Sequence, residues 1–241
     1  MNSVSVRFII LAIARSGSSF LTTSLRSHPQ VLCHGEVLLP RLFSKHVHGS
    51  ARRILSAKEC RKAPHDFVER LFELDDGCKA VGFKIFRAHN EEVRDSLLQN
   101  PDVRKIILRR NNILASYSSL ELARKTGQWG TRRTGGIKPG QIFFDSKQFE
   151  TYRKRTEGYY RKINHICSGP RMQITYEWNI LSQNIRPVLD FLEVDPDVET
   201  RSRRRKMHGH LMLDRFLNPE AVVEHLDEID HPEWITERGQ F

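Results

Sequence analysis

Residues Val6–Ile13 form an apolar, β-branched run that breaks at Arg15-Ser16-Gly17-Ser18-Ser19, after which about Ser18–Ser27 reads as a helix. A strand apolar at consecutive positions is buried on both faces, which points to the interior of a parallel sheet. The turn that follows gathers backbone N–H groups at one spot. The helix N-terminus adds partial positive charge, and Gly17 permits the close approach that other residues resist. Ser16, Ser18 and Ser19 add hydroxyls, and Arg15 adds a charged fork. The segment suits a phosphate or phosphosulfate, although an ordinary βα turn with serine caps has the same local look. It is not a Walker A loop, because GxxxxGK[ST] is absent.

The alternation continues along the chain. Val31–Cys33 reads as a short strand ending at His34-Gly35-Glu36, Lys79–Phe86 and Val103–Leu108 as further strands, and Arg171–Tyr176 as the last. Helices are expected over Glu59–Leu74, Asn90–Gln99, Asn112–Lys125, Gln148–Cys167 and Trp178–Leu192, with a final one starting near Asn218-Pro219. Residues 40–56 read as loop or irregular helix. Residues 127–147, with five glycines and a proline, read as a long loop of the kind that serves as a lid or binding loop. Strands and helices in alternation predict an α/β fold with a central, mostly parallel sheet flanked by helices, in one domain spanning residues 1–241.

The chain carries a formal net charge of +10, which predicts acidic partners without choosing among them. The apolar run at Phe8–Ala14 is too short to span a bilayer and reads as a first strand rather than a secretory signal. Cys33, Cys60, Cys78 and Cys167 are widely spaced with no CxxC pair, which predicts free thiols, a cytoplasmic location and no metal site.

A second phosphate site is expected where Ile106-Ile107-Leu108 runs into Arg109-Arg110. A kinase would place an acidic magnesium ligand near such a strand end, and two arginines stand there instead. Ser118 follows Arg110 by about two helical turns and could face the same region.

These two sites together resemble the sulfotransferase superfamily. RSGSSFL (Arg15–Leu21) is similar to the 5′-phosphosulfate loop of its carbohydrate-modifying members, and LRRNNILASYSSLELARKTGQW (Leu108–Trp129) to bacterial glycolipid-type members. Ile174–Glu177 resembles the family's late strand ending in Tyr-Glu, and Leu213–Leu226 its C-terminal helix with Asn-Pro-Glu. The resemblance implies a P-loop NTPase-like three-layer fold and a sulfuryl donor, 3′-phosphoadenosine 5′-phosphosulfate. That donor would be held by Arg15, Ser16, Gly17, Ser18, Ser19 and Phe20 at its 5′ end and by Arg110 and Ser118 at its 3′-phosphate. Arg109 would be a helper or face the other way. RSRRRK (Arg201–Lys206) resembles the family's late basic loop, with Arg205 and Lys206 as nucleotide contacts and the rest a solvated charge run.

Arg15 is the candidate to stabilise the departing oxygen. Glu36 is the candidate general base, since a Gly-Glu here resembles the base position of some family members; His89 is its rival and His34 a third choice. Arg132, Arg133, Lys138 and Phe143-Phe144 in the long loop suit a sugar or anionic glycan. The implied reaction is transfer to the hydroxyl of a carbohydrate or glycolipid, without a metal. The rival functions are a P-loop-like nucleotide kinase and a basic nucleic-acid-binding protein, neither of which shows its motif in this chain.

Overall fold

The computed structural model describes residues 5–130, 136, 138–202, 209 and 211–237. Five strands, β1 (Val6–Ala12), β2 (Val31–Cys33), β3 (Ala80–Phe86), β4 (Val103–Arg109) and β5 (Arg171–Thr175), form one sheet in the order β2-β3-β1-β4-β5, every pair parallel. β1 lies at the centre, which is why its side chains are apolar without interruption. Ile9 and Leu11 enter the core on one face, and Phe8, Ile10 and Ala12 the core on the other, as a strand's period of two requires.

Among the described residues, ten α-helices accompany the sheet. Following β1 is α1 (Ser18–Ser27); between β2 and β3 lie α2 (Phe43–His46), α3 (Ala51–Ile54), α4 (Ala57–Lys62) and α5 (Pro64–Glu73). Then come α6 (Glu91–Gln99), α7 (Ile113–Thr126), α8 (Ser146–Ile166), α9 (Arg186–Phe191) and α10 (Pro219–Glu228). Phe67 and Leu71 of α5, Leu97 of α6 and Ile163 of α8 pack on one side of the sheet; Leu21 and Leu25 of α1 and Val188 and Leu189 of α9 pack on the other. The result is the three-layer, P-loop-like α/β architecture expected from the sequence. A third core, which includes no strand residue, joins α7 and α8 to Phe216, Val222 and Trp234.

Two expected helices are broken, each at a proline. The helix expected over Glu59–Leu74 divides into α4 and α5. Pro64 bars Ala63 from helical angles (φ −140°, ψ 74°) and restarts the chain at a first helical turn. The helix expected over Trp178–Leu192 begins instead as a single π-turn, Tyr176–Ile180. Pro187 has no N–H to continue a helix, so the chain leaves through Gln183 at φ 59° and resumes as α9. The expected strand Arg171–Tyr176 accordingly stops at Thr175, which caps the π-turn.

Residues 127–145 carry no helix or strand among the described residues apart from the single bridge of Ile142 to Phe216. Phe144, expected to meet a ligand, is instead 3 % exposed in the third core, edge-on to Phe216. No helix among the described residues is long and apolar enough to cross a membrane.

Gly82 lies where β3 passes β1. A Cβ there would fall on the carbonyl oxygen and ring of Phe8, so any side chain pries the two central strands apart. Gly82→Ala should lower stability by about 1–3 kcal/mol, the usual cost of overpacking. An unchanged midpoint in urea unfolding would refute the close approach.

Candidate active site

Because all five strands are parallel, their C-terminal ends meet along one edge, where open α/β sheets bind ligands. A groove of about 1610 Å³ runs along that edge. This exceeds the ~300–1,000 Å³ of a pocket for one drug-sized ligand and leaves room for two substrates.

The β1–α1 turn forms one wall. Arg15 (φ 69°) and Gly17 (φ 84°) both take left-handed backbone angles, so successive N–H groups curl into a nest of the kind that binds anions. Gly17 is the N-cap of α1 and supplies no side-chain cap. Glycine is needed there twice over: for the positive φ, and because a Cβ would sit 2.6 Å from Cδ2 of Tyr176. Ser18, Ser19 and Phe20 line the groove, whereas Ser16 is fully buried and donates to the Ile13 carbonyl. The Arg15 side chain reaches across to α7 and the segment after it, where Nε donates to Ser119 Oγ (2.9 Å) and Nη1 to the Trp129 carbonyl (2.6 Å).

The opposite wall comes from β2 and β3. The ladder continues past Cys33, with the His34 N–H on the Gly82 carbonyl and the Lys84 N–H on the Gly35 carbonyl. That register sets Glu36 beside Lys84. The Lys84 ammonium lies 3.0 Å from Glu36 Oε1 and 3.4 Å from Ser19 Oγ, and stands over the Phe86 ring. His89 Nε2 lies 3.6 Å from Glu36 Oε2. His89 Nδ1 accepts from the Phe86 N–H, which leaves the ring proton of the neutral imidazole on Nε2, facing the carboxylate. The two candidate bases are thus neighbours in one cluster. Burial pushes the Glu36 carboxyl up, but the facing His89 ring and the Lys84 ammonium outweigh it and hold the pKa at about 2. His34 is buried away from the groove. Its Nδ1 accepts from the His48 N–H, and burial lowers it to about 3, so it is neutral.

The deep end of the groove lies under β4 and β5. Arg110 is buried, with its guanidinium over the Tyr176 ring at 4.3 Å. Its Nη1 donates to the Arg15 carbonyl at 2.7 Å, while Nε and Nη2 form a bidentate pair with Glu237 at 2.6 and 2.7 Å. Arg109 faces the other way, over Tyr160. Ser118 is fully buried in α7 and accepts from Arg215 Nη1 at 2.9 Å. Arg215 is itself 4 % exposed, and its Nε has no hydrogen-bond partner among the described residues. Burial and the Arg110 charge both act against the Arg215 charge. Two guanidiniums in one buried space, one of them with an unpaired donor, is an arrangement an incoming oxyanion would relieve. Arg205 and Lys206, and the loop residues Arg132 and Arg133, lie outside the described residues.

No protein-family model matches the chain. It is 26% identical over 198 residues to Nodulation protein H of Rhizobium meliloti strain 1021, covering 77% of this chain and 76% of that one. It is 25% identical over 247 residues to Nodulation protein H of Rhizobium tropici, covering 94% and 96%. Its fold matches the crystal structure of a sulfotransferase from Alicyclobacillus acidocaldarius, with a TM-score of 0.53 and 16% identity over 97% of this chain and 96% of that one. These similarities in sequence and in fold support the resemblance to the sulfotransferase superfamily.

Sequence reasoning missed Lys84, Arg215, Ser119 and Glu237. Lys84 did carry a signal, as a lone cation near the C-terminal end of an otherwise apolar strand, GFKIF. Arg215 and Glu237 carried none, because both reach the site through tertiary contacts from distant segments.

The cluster around Glu36 makes a measurable claim. In Lys84→Met, burial is left opposed by His89 alone, so the Glu36 pKa should rise from about 2. A carboxyl-carbon NMR titration reads this directly, and an unmoved Glu36 resonance would dissolve the proposed pairing.

Proposed function

We propose that this protein transfers a sulfuryl group from 3′-phosphoadenosine 5′-phosphosulfate to a hydroxyl of a carbohydrate or glycolipid. One observation carries the reading. A single groove holds an uncapped helix N-terminus beside Arg15, a Glu36–Lys84–His89 cluster, and two buried arginines at its deep end. The sequence similarity to Nodulation protein H and the fold shared with a sulfotransferase support the same chemistry.

The donor supplies an activated sulfuryl group on a leaving phosphate. Arg15 and the N–H groups of Ser18 and Ser19 would bind the 5′ phosphosulfate. Arg110, with Ser118 and Arg215 behind it, would bind the 3′-phosphate, which would take over the fork that Glu237 now fills. Lys84 lies between the base and Ser19, where its charge favours electron density arriving on the leaving oxygen. Glu36 orients the acceptor hydroxyl and receives its proton. A carboxylate with a pKa of about 2 is a weak base, so the proton moves late, once the acceptor oxygen has begun to bond sulfur and become acidic. His89 holds the carboxylate in place from its Nε2 side. Most of the acceleration comes from positioning and electrostatics, as in phosphoryl transfer.

Calorimetric titration tests the donor site. Adenosine 3′,5′-bisphosphate should bind without metal and more tightly than adenosine 5′-monophosphate. A preference for ATP–magnesium would favour a kinase, and tight, salt-sensitive binding of oligonucleotides with no response to the bisphosphate would favour nucleic-acid binding.

Two variants locate the 3′-phosphate. Arg110→Lys, which turns a bidentate fork into a point charge, should weaken bisphosphate binding by a larger factor than monophosphate binding, which feels only the loosened contact to the Arg15 carbonyl. Glu237→Gln should tighten bisphosphate binding by about tenfold, the equivalent of ~1.4 kcal/mol, without changing the monophosphate. Bisphosphate affinity unchanged in both variants would remove Arg110 from the donor site.

A further inference from the structure

Among the described residues, ten lysines and arginines but only two glutamates line the groove. Both glutamates are already engaged, Glu36 with Lys84 and His89, and Glu121 with Arg124. Arg15, Lys84, Arg110 and Arg215 belong to the donor side described above. Four further cations, Arg41, Lys45, Arg87 and Arg155, are exposed and line the remainder of the groove. None forms an ion pair with a carboxylate among the described residues.

These cations come from separate elements: the turn before α2, α2 itself, the β3–α6 connection and the middle of α8. Arg87 and Arg155 also line one small adjoining hollow of about 290 Å³, so their side chains border the same space. The acid in that hollow is Glu91, which is held by Arg94 at 2.9 Å and Lys162 at 2.7 Å. Like charges gathered without a counter-charge repel, and an anion bound among them is drawn in by the summed field of the cleft. The Trp129 ring, 58 % exposed on the groove wall, offers a flat face to a sugar.

We propose that the acceptor is an anionic glycan, carrying a carboxylate or phosphate close to the hydroxyl that is sulfated, and that Arg87 and Arg155 read that charge. The inference rests on the proposed transfer reaction but makes a separate demand, since a neutral sugar would satisfy that reaction equally well.

The test uses the full chain saturated with adenosine 3′,5′-bisphosphate, whose own titration reports separately on the donor site. Four probes of equal length are then titrated calorimetrically at low and at physiological salt. They are chitotetraose, a tetramer of alternating glucuronate and N-acetylglucosamine, a tetramannose bearing a terminal phosphate, and a tetranucleotide. At least one anionic sugar should bind tenfold or more tightly than chitotetraose, and which one does so tells carboxylate from phosphate. The preference should shrink with salt and fall below about threefold in Arg87→Ala/Arg155→Ala. That double variant should keep the bisphosphate affinity, because both residues are surface cations outside the donor side. Absence of preference for either anionic sugar, retention of the preference in the double variant, or tighter binding of the tetranucleotide than of both anionic sugars would each overturn the proposal.

Discussion

The Arg110 guanidinium joins four parts of the chain that are remote in sequence. It stands at the end of β4, donates to the backbone carbonyl of Arg15 in the β1–α1 turn, lies over Tyr176 where β5 becomes a π-turn, and grips Glu237. Glu237 is brought there by Asn112, whose side chain donates to the carbonyls of Trp234 and Thr236 while its oxygen caps α7. A buried charge of this kind is costly unless every donor is met. Meeting those donors with a backbone carbonyl and a carboxylate fixes the turn, the helix and the C-terminal segment relative to the sheet. The same fork geometry that suits a carboxylate suits a phosphate oxygen.

The rest of the site follows from the parallel sheet. Five strands pointing the same way deliver their C-terminal ends to one edge, and four of those ends bring an element of chemistry. The β1 turn brings backbone N–H groups and Arg15. The extended end of β2 brings Glu36, β3 brings Lys84 and then His89, and β4 brings Arg110. Glu36 and His89 are separated by fifty-odd residues of chain, yet the pairing of β2 with β3 makes them neighbours. Their proximity changes the chemistry of each. The carboxylate is held ionised by its neighbours, and the imidazole is held in one tautomer by the Phe86 N–H. Two residues that look like alternative bases in the sequence are one unit in space.

Much of the fold was legible in the sequence, and the failures have local causes. Val6–Ala12, Ser18–Ser27 and Val31–Cys33 lie where hydrophobic pattern and turn residues placed them, because a buried strand and an amphipathic helix write their period directly into the chain. Apolar spacing overextends the segments around Pro64 and Pro187, because it does not register the missing N–H of proline. A glycine-rich loop hides which of its aromatics turns inward, so Phe144 looks like a ligand contact in the sequence and is a core residue in the fold. Arg15, Ser18, Ser19, Glu36, His89 and Arg110 all line the observed groove; Ser16 and Ser118 sit beneath its surface, bonded to Ile13 and Arg215.

By itself the sequence determined what short-range rules encode. It specified a doubly buried first strand, a left-handed glycine turn opening a helix, a cationic strand end and a strong positive charge. Only the tertiary structure decided which distant groups share a space. It put Lys84 between Glu36 and Ser19, Arg215 behind Ser118, Glu237 in the Arg110 fork, and Arg87 beside the same hollow as Arg155. The physical reason is that period, propensity and capping act over a few residues. Ion pairing and burial act between groups that strand order and packing bring within a few ångströms, however far apart they lie along the chain.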